Sequence, residues 1–315
     1  MDLHGIHHLT AISAAIRENH QFYTGALGMR LVKRSVNQDD LSAYHLFYAD
    51  KVGSPGTDLT FFDWPVAGER RGTRAITRTH LRVAGPETLD YWSDRLRAQG
   101  ITPAPVTERD GRLTLDFEDR EGQRLALVDD SGAGKSVPWE RSPVPAARQI
   151  RGLGPIQLSV PDLAPTDRML RESLGMRPVR EYPHPERSKD VVHVYEMGPG
   201  GAGAELHVAV QPDLAPTRQG AGGVHHVAFR VSDDQYDAWA DRLDTLGIRN
   251  SGKVDRYWFR SLYFREPNGI LFELATEGPG FTADEDVATL GEKVSLPPFL
   301  EGRREAIVAN LKPID

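Results

Sequence analysis

Histidine stands next to histidine at two places in the 315-residue chain, His7-His8 and His225-His226, and cysteine is absent. Without thiolates, disulfide frameworks, sulfur nucleophiles and iron–sulfur clusters drop out, so a bound metal would need nitrogen and oxygen ligands. Neutral imidazole is the commonest nitrogen ligand, and a carboxylate is a natural companion. Glu273 lies in the otherwise apolar run from Ile270 to Leu274, where a buried ionised side chain needs a partner. Two imidazoles and one carboxylate form the facial set that leaves open positions on Fe(II). Zinc would accept the same ligands as a catalytic site with water in the remaining place. The residue types alone do not choose between the metals.

These residues fall in an internal repeat. Four segments open on a strand pattern, at Gly5, Thr79, Gly154 and Val224, roughly 70 residues apart, and each then enters a stretch with apolar residues at helical spacing. Each helix-like stretch closes on a glycine suited to a C-cap, and Leu-Gly-Met recurs at Leu27 to Met29 and at Leu174 to Met176. Extended runs follow, so the unit is βαβββ and the fold class α+β. One face of such a unit is covered by its own helix and the other is bare, so units must pair around a shared concavity. The expected organisation is two domains of two modules each, 1–135 and 150–277, separated by a Pro-, Gly- and Arg-rich linker from Ser131 to Arg151. The extension 278–315 reads as a Pro-stopped turn followed by one short helix.

Strand parity places the candidates, because alternate side chains share a face. Val227, Phe229 and Val231 are the apolar set of the fourth module, which turns His225 toward the helix and His226 into the concavity. In the first module Leu9 and Ala11 do the same for His7, leaving His8 inward with Thr10. Glu273 projects opposite Phe272 and Leu274. In the second and third modules the positions equivalent to His8 and His226 hold Arg78 and Pro155, and no matching Glu is present. A single centre joining the first and fourth modules is expected.

The remaining features narrow the partner. Net charge is −7 with no Lys/Arg cluster, against a nucleic-acid partner, and no apolar run approaches the roughly 20 residues of a membrane span. The N-terminus has neither a basic region nor an apolar core, so a cytoplasmic address is expected, with a small-molecule substrate and a homodimer as the default oligomer. His80, His193 and His207 read as structural, Trp92 and Trp239 as core, and Gly198 to Gly203 as a hairpin loop.

The segments from Gly5 to Ile12, from Gly223 to Phe229, from Pro267 to Thr276 and from Leu290 to Glu305 resemble the vicinal oxygen chelate superfamily. Within it, the distribution of candidate ligands is similar to the hydroquinone-type ring-cleaving dioxygenases. The resemblance implies Fe(II), with Mn(II) and Zn(II) as alternatives, held by His8, His226 and Glu273. It implies O2 and a hydroquinone-type or catechol-type aromatic diol as substrates, the ring opening to an unsaturated acid. By the same resemblance Arg256 stabilises developing oxygen charge, Tyr263 hydrogen-bonds bound oxygen, and His225 and His7 stand behind the ligands, His225 moving protons at near-neutral pKa. Two alternatives remain open: a metal-dependent glyoxalase-like lyase or isomerase, and a non-catalytic quinone-binding or sequestering protein.

Overall fold

The computed structural model describes residues 1–314, and each repeat folds as the pattern demands. The first module runs β1 (Ile6–Ser13), α1 (Ile16–Gln21) continuing as a π-helical turn, β2 (Arg30–Asn37), β3 (Asp40–Ala49) and β4 (Asp58–Asp63). The second runs β5 (Ala75–Val83), α2 (Pro86–Ala98), β6 (Thr107–Arg109), β7 (Arg112–Glu118) and β8 (Arg124–Asp129). The third comprises β9 (Leu153–Val160), α3 (Leu163–Arg168), β10 (Arg177–His184), β11 (Arg187–Glu196) and β12 (Glu205–Val210). The fourth comprises β13 (Val224–Val231), α4 (Tyr236–Thr245), β14 (Val254–Asp255), β15 (Arg260–Arg265) and β16 (Leu271–Thr276). After a short 3₁₀ turn, the extension ends in α5 (Arg304–Asn310).

The four module helices stop by one device. Gly28, Gly100, Gly175 and Gly247 take φ values of +68°, +75°, +69° and +66°, the left-handed conformation that lets the chain turn back into a strand. Gly28 is constrained twice, because a Cβ there would lie 2.6 Å from Val144 Cγ2.

The strands assemble into two eight-stranded curled sheets, in the orders β14-β15-β16-β13-β1-β4-β3-β2 and β10-β11-β12-β9-β5-β8-β7-β6. Within a module the first strand pairs in parallel with the last, which leaves its other edge for the first strand of another module. β1 takes β13 and β5 takes β9, both antiparallel. Each sheet therefore draws one module from the segment 1–135 and one from 150–277.

Leu9, Val227, Phe229 and Val231 are fully buried in the main core under the helices, together with Trp92 and Trp239. The hollow face of the first sheet carries a separate apolar cluster that includes Phe47, Ala228, Trp258, Phe259, Phe281 and Leu290. The last two come from the extension, which thus closes over the concavity between the first and fourth modules. Among the described residues no helix is long and apolar enough to cross a membrane.

Candidate metal centre

His8 on β1, His226 on β13 and Glu273 on β16 project from three adjacent strands, with Ala228 aligned to both His8 and Glu273. Glu273 Oε2 lies 3.1 Å from His8 Nε2 and 2.9 Å from His226 Nε2, and the two Nε2 atoms are 3.3 Å apart. All three side chains are buried, Glu273 completely. Glu273 Oε1 accepts a hydrogen bond from Ser261 Oγ at 2.5 Å, whereas Oε2 has no well-aligned donor. Three ligand atoms thus converge on one point with one carboxylate oxygen left orphaned, the donor set that a divalent cation fits. Burial alone would raise the Glu273 carboxyl, but the flanking His8 and His226 hold it well below its usual range. Burial lowers His226. An ionised carboxylate beside a neutral imidazole is the state in which these side chains bind metal.

The first histidine of each pair departs from the expected parity. In the β1–β13 ladder Ile6 pairs with Phe229 and His8 with Ala228, skipping His7; Thr10 pairs with His226 and Ala11 with Val224, skipping His225. Each skipped residue is the extra residue of a β-bulge, which locally abolishes the alternation of faces. His7 and His225 therefore stand beside the candidate ligands instead of under the helices. His7 Nδ1 is 2.9 Å from His8 Nδ1, and His225 Nδ1 is 2.7 Å from His226 Nδ1. Burial, then the neighbouring His8 or His226, lowers His7 and His225 each to about 3. His225 is accordingly neutral at physiological pH in the metal-free chain, not near-neutral in pKa as expected.

The first and fourth modules are related by their registers, and the relation shows what lies across from Glu273. Glu273 aligns with Ala228, two residues beyond His226; Thr60 on β4 aligns with Thr10, two residues beyond His8. The position equivalent to the carboxylate in the first module is thus a threonine. Thr10 Oγ1 lies 3.1 Å from His226 Nε2 and 2.8 Å from Thr60 Oγ1, which in turn lies 3.0 Å from His45 Nε2. Among the described residues, no second carboxylate joins the three ligand atoms.

A cavity opens beside them, walled by Phe47, Phe62, Trp258 and Phe259. Arg256 and Tyr263 also line it. Tyr263 aligns with Glu273 across β15 and β16, and burial followed by the Glu273 charge raises its phenol. Arg256 donates from Nε to the Tyr263 hydroxyl at 3.2 Å and from Nη2 to Asp39 at 2.8 Å. Sequence reasoning did not single out Thr60, His45, Trp258 or Phe259. His45 and Phe47 alternate with buried residues along β3, a signal that marks a strand face but not which hollow it enters.

The second sheet builds no equivalent. His207 occupies the register of Glu273, opposite Gln157, while Arg78 and Pro155 replace the histidines. Asp110, Glu205 and His207 do approach one another, but Glu205 is engaged by Arg112 in two 2.7 Å contacts and by Arg180 at 2.9 Å. Two guanidiniums already neutralise that carboxylate, leaving no cation site. His80 and His207 are tied to Pro155 O and Tyr182 at 2.7 and 2.8 Å, as structural histidines would be.

Two curled sheets made of four βαβββ modules, with buried His and Glu side chains meeting in one concavity, define a vicinal-oxygen-chelate protein. The chain belongs to the Glyoxalase/Bleomycin resistance protein/Dioxygenase superfamily, whose family model matches residues 5–127 and 152–274. It is 47% identical over its whole length, and that of the relative, to MhqA of Bacillus subtilis strain 168, named as a ring-cleaving dioxygenase. It is 30% identical to the chlorohydroquinone/hydroquinone 1,2-dioxygenase of Sphingobium indicum, over 98% of this chain and 95% of the relative. A solved structure named as a dioxygenase of Bacillus subtilis superposes with a TM-score of 0.91 at 32% identity, over 100% of this chain and 98% of that one.

Proposed function

We propose that this protein is an Fe(II)-dependent dioxygenase that opens the ring of a hydroquinone-type aromatic diol with O2. The observation that carries the reading is the convergence of His8, His226 and Glu273 in a buried hollow whose facing position is Thr60 rather than a carboxylate. Such a set leaves room for two exogenous ligands, the diol and dioxygen. The names of the ring-cleaving relatives support it, and the hydroquinone dioxygenase among them supports the para-diol over the ortho-diol. When bound, iron would supply the electron transfer between diol and dioxygen, and the protein the rest.

His8 and His226 would present Nε2 lone pairs to the metal, with Glu273 supplying the anionic ligand. Thr10, 3.1 Å from His226 Nε2, is placed to hydrogen-bond an oxygen of a bound ligand. Arg256 and Tyr263 enter from β15 and the loop before it. Tyr263, kept protonated by burial, would donate to oxygen, and the guanidinium, oriented by Asp39, would stabilise charge developing there. The aromatic wall would exclude water and hold the ring.

The test is anaerobic reconstitution with Fe(II) followed by oxygen-electrode recording on hydroquinone, methylhydroquinone, catechol, and methylglyoxal with glutathione. Hydroquinone-dependent oxygen uptake is expected. Metal-loaded protein that consumes no oxygen with any diol, but turns over methylglyoxal-glutathione, would move the assignment to a lyase or isomerase. Glu273→Gln should lose metal and activity together.

A further inference from the structure

The two oxygens of an ortho-diol lie side by side and can both be satisfied next to a metal. A para-diol places its second hydroxyl at the opposite end of the ring, away from the ligands, where it must find a polar partner or be buried unpaired. This inference rests on the proposed substrate class and asks which residue meets that hydroxyl.

Besides the ligands, Arg256 and Tyr263, the cavity wall holds three polar side chains: Asn37, Gln38 and His45. Asn37 Oδ1 accepts from the backbone of Asp39 at 2.9 Å, and Gln38 Nε2 donates to Arg256 O at 2.9 Å. Asn37 is engaged in the turn between β2 and β3, and Gln38 ties that turn to the loop before β15. Tyr263 stands at the metal end, across from Glu273.

His45 differs from both. Its Nε2 is held by Thr60 at 3.0 Å, and its ring is wedged against Phe47 and Phe62, with centroids 4.0 and 4.5 Å away. Those contacts fix the ring plane, and Nδ1 has no hydrogen-bond partner among the described residues. Burial holds the imidazole well below its ordinary pKa, with His8, His226 and Arg256 adding to the effect and Glu273 opposing it. A neutral ring has one N–H and one lone pair, so the edge not used by Thr60 can pair with a hydroxyl in either sense. His45 is only partly buried, so this edge is open to the cavity and a substrate hydroxyl would take the place of water on it. From the ligand set, His45 is reached through Thr10 and Thr60, two strands along the same concave face, so it sits on the far side of the cavity from β15.

We propose that His45 is the specificity-determining residue that hydrogen-bonds, through Nδ1, the hydroxyl of a para-diol distal to the metal. The residue touches substrate and takes no part in holding the metal. Its loss should weaken binding of a para-diol and leave a monophenol unaffected, because a site built to pair a hydroxyl discriminates only against ligands that lack it.

The experiment measures anaerobic binding to Co(II)-loaded protein by the change in its visible spectrum, which requires no turnover. Hydroquinone and phenol are titrated into the natural protein and into His45→Phe and His45→Gln. In the natural protein hydroquinone should bind roughly 10-fold tighter than phenol. His45→Phe should erase that advantage while phenol affinity and bound cobalt stay unchanged, and His45→Gln should restore part of it. Equal losses for hydroquinone and phenol, or no loss for either, overturn the assignment. If His45→Phe binds no cobalt, the decision falls to His45→Gln, in which the advantage of hydroquinone over phenol should be smaller than in the natural protein; an unchanged advantage overturns the assignment. The proposed activity is judged separately. A His45-dependent preference without oxygen uptake by the Fe(II) protein leaves this inference standing and defeats ring cleavage; uptake without the preference does the reverse.

Discussion

His7 and His8 meet Nδ1 to Nδ1 at 2.9 Å, and the far nitrogen of His7 lies 3.0 Å from the carbonyl oxygen of Thr276. That carbonyl can only accept, so His7 Nε2 carries the proton and donates, which makes His7 Nδ1 an acceptor. His8 Nδ1 must then be the donor, and His8 Nε2 is left with its lone pair facing Glu273. A backbone carbonyl on β16 thereby sets the tautomer of a residue on β1. Such outer partners typically contribute 10- to 100-fold in metal affinity.

His7→Phe should therefore weaken Fe(II) or Co(II) binding roughly 10- to 100-fold, measured by chelator competition. His225 makes the same contact with His226, but its own Nε2 has no protein partner among the described residues and the residue is only partly buried. Water can replace part of what His225→Phe removes, whereas His7 is buried. His225→Phe should cost less affinity than His7→Phe, and the reverse order would refute the carbonyl-anchored tautomer.

Tyr263 and Arg256 act as one unit, the guanidinium lying 5.3 Å from the ring centroid with Nε on the phenol oxygen. Tyr263→Phe keeps the ring and the wall but removes the donor. The expected result is a drop in kcat of about 100-fold with KM little changed and metal content intact. Arg256→Lys should lower kcat as well, because an ammonium cannot span Asp39 and Tyr263 in the fixed fork geometry. Steady-state kinetics on hydroquinone decides: an unchanged kcat in Tyr263→Phe would remove the phenol from the chemistry.

The repeat, the module pattern and the three converging residues were legible because each rests on a local rule. Glycine closes each helix, alternation marks each strand, and only the first and fourth modules carry paired histidines. The bulges were not legible. Nothing in the identities of His7 or His225 announces that its ladder skips it, and a one-residue irregularity shifts the parity of that residue and of those before it, so Ile6 and Val224 return to the main core. His45 was hidden for a different reason. A single histidine in a strand reads as structural until the fold brings its ring against Thr60, which the registers of β4 and β1 align with Thr10.

Stability should fall on the acid side. His7, His45, His80, His184, His225 and His226 are all lowered from 6.5, each chiefly by burial. In the unfolded chain these rings titrate near 6.5, so below that pH the unfolded state binds protons that the folded state refuses, and folding weakens as pH falls. The window runs from 6.5 down to about 3 for His7 and His225. Each ring contributes up to about 1.4 kcal/mol per pH unit. Asp119 opposes the trend, since burial raises it to about 6 and its protonation favours the folded state as pH drops through that value toward 3.8. Urea midpoints of the metal-free protein should be flat above pH 7 and decline steeply below 6.5, and His45→Phe should reduce the slope by no more than one proton. A midpoint constant from pH 7 to 5 would contradict the buried neutral rings.

Lys33 is fully buried, with its ammonium on Asp284 Oδ1 at 2.8 Å, on the carboxylate of Glu285 and on the carbonyl of Phe281 at 3.1 Å. All three acceptors belong to the extension. Asp284 Oδ1 also accepts from Trp258 Nε1 at 2.9 Å, and Gly280 N donates to Trp258 O at 2.8 Å. One cation in β2 thus fastens the extension to the loop that supplies Trp258 and Phe259 to the cavity wall. Lys33→Met would fill the same space while leaving two carboxylates largely buried and mutually repelling, and breaking a buried pair in this way costs about 3–5 kcal/mol. The expected outcome is a loss of that order in urea unfolding, faster amide exchange across 280–290, and weaker hydroquinone binding as the wall loosens. Replacing Lys33, Asp284 and Glu285 together with apolar residues should recover much of the stability, because the cost lies in the unpaired carboxylates. If the single substitution leaves exchange across 280–290 unchanged, Lys33 is not what holds the extension over the site.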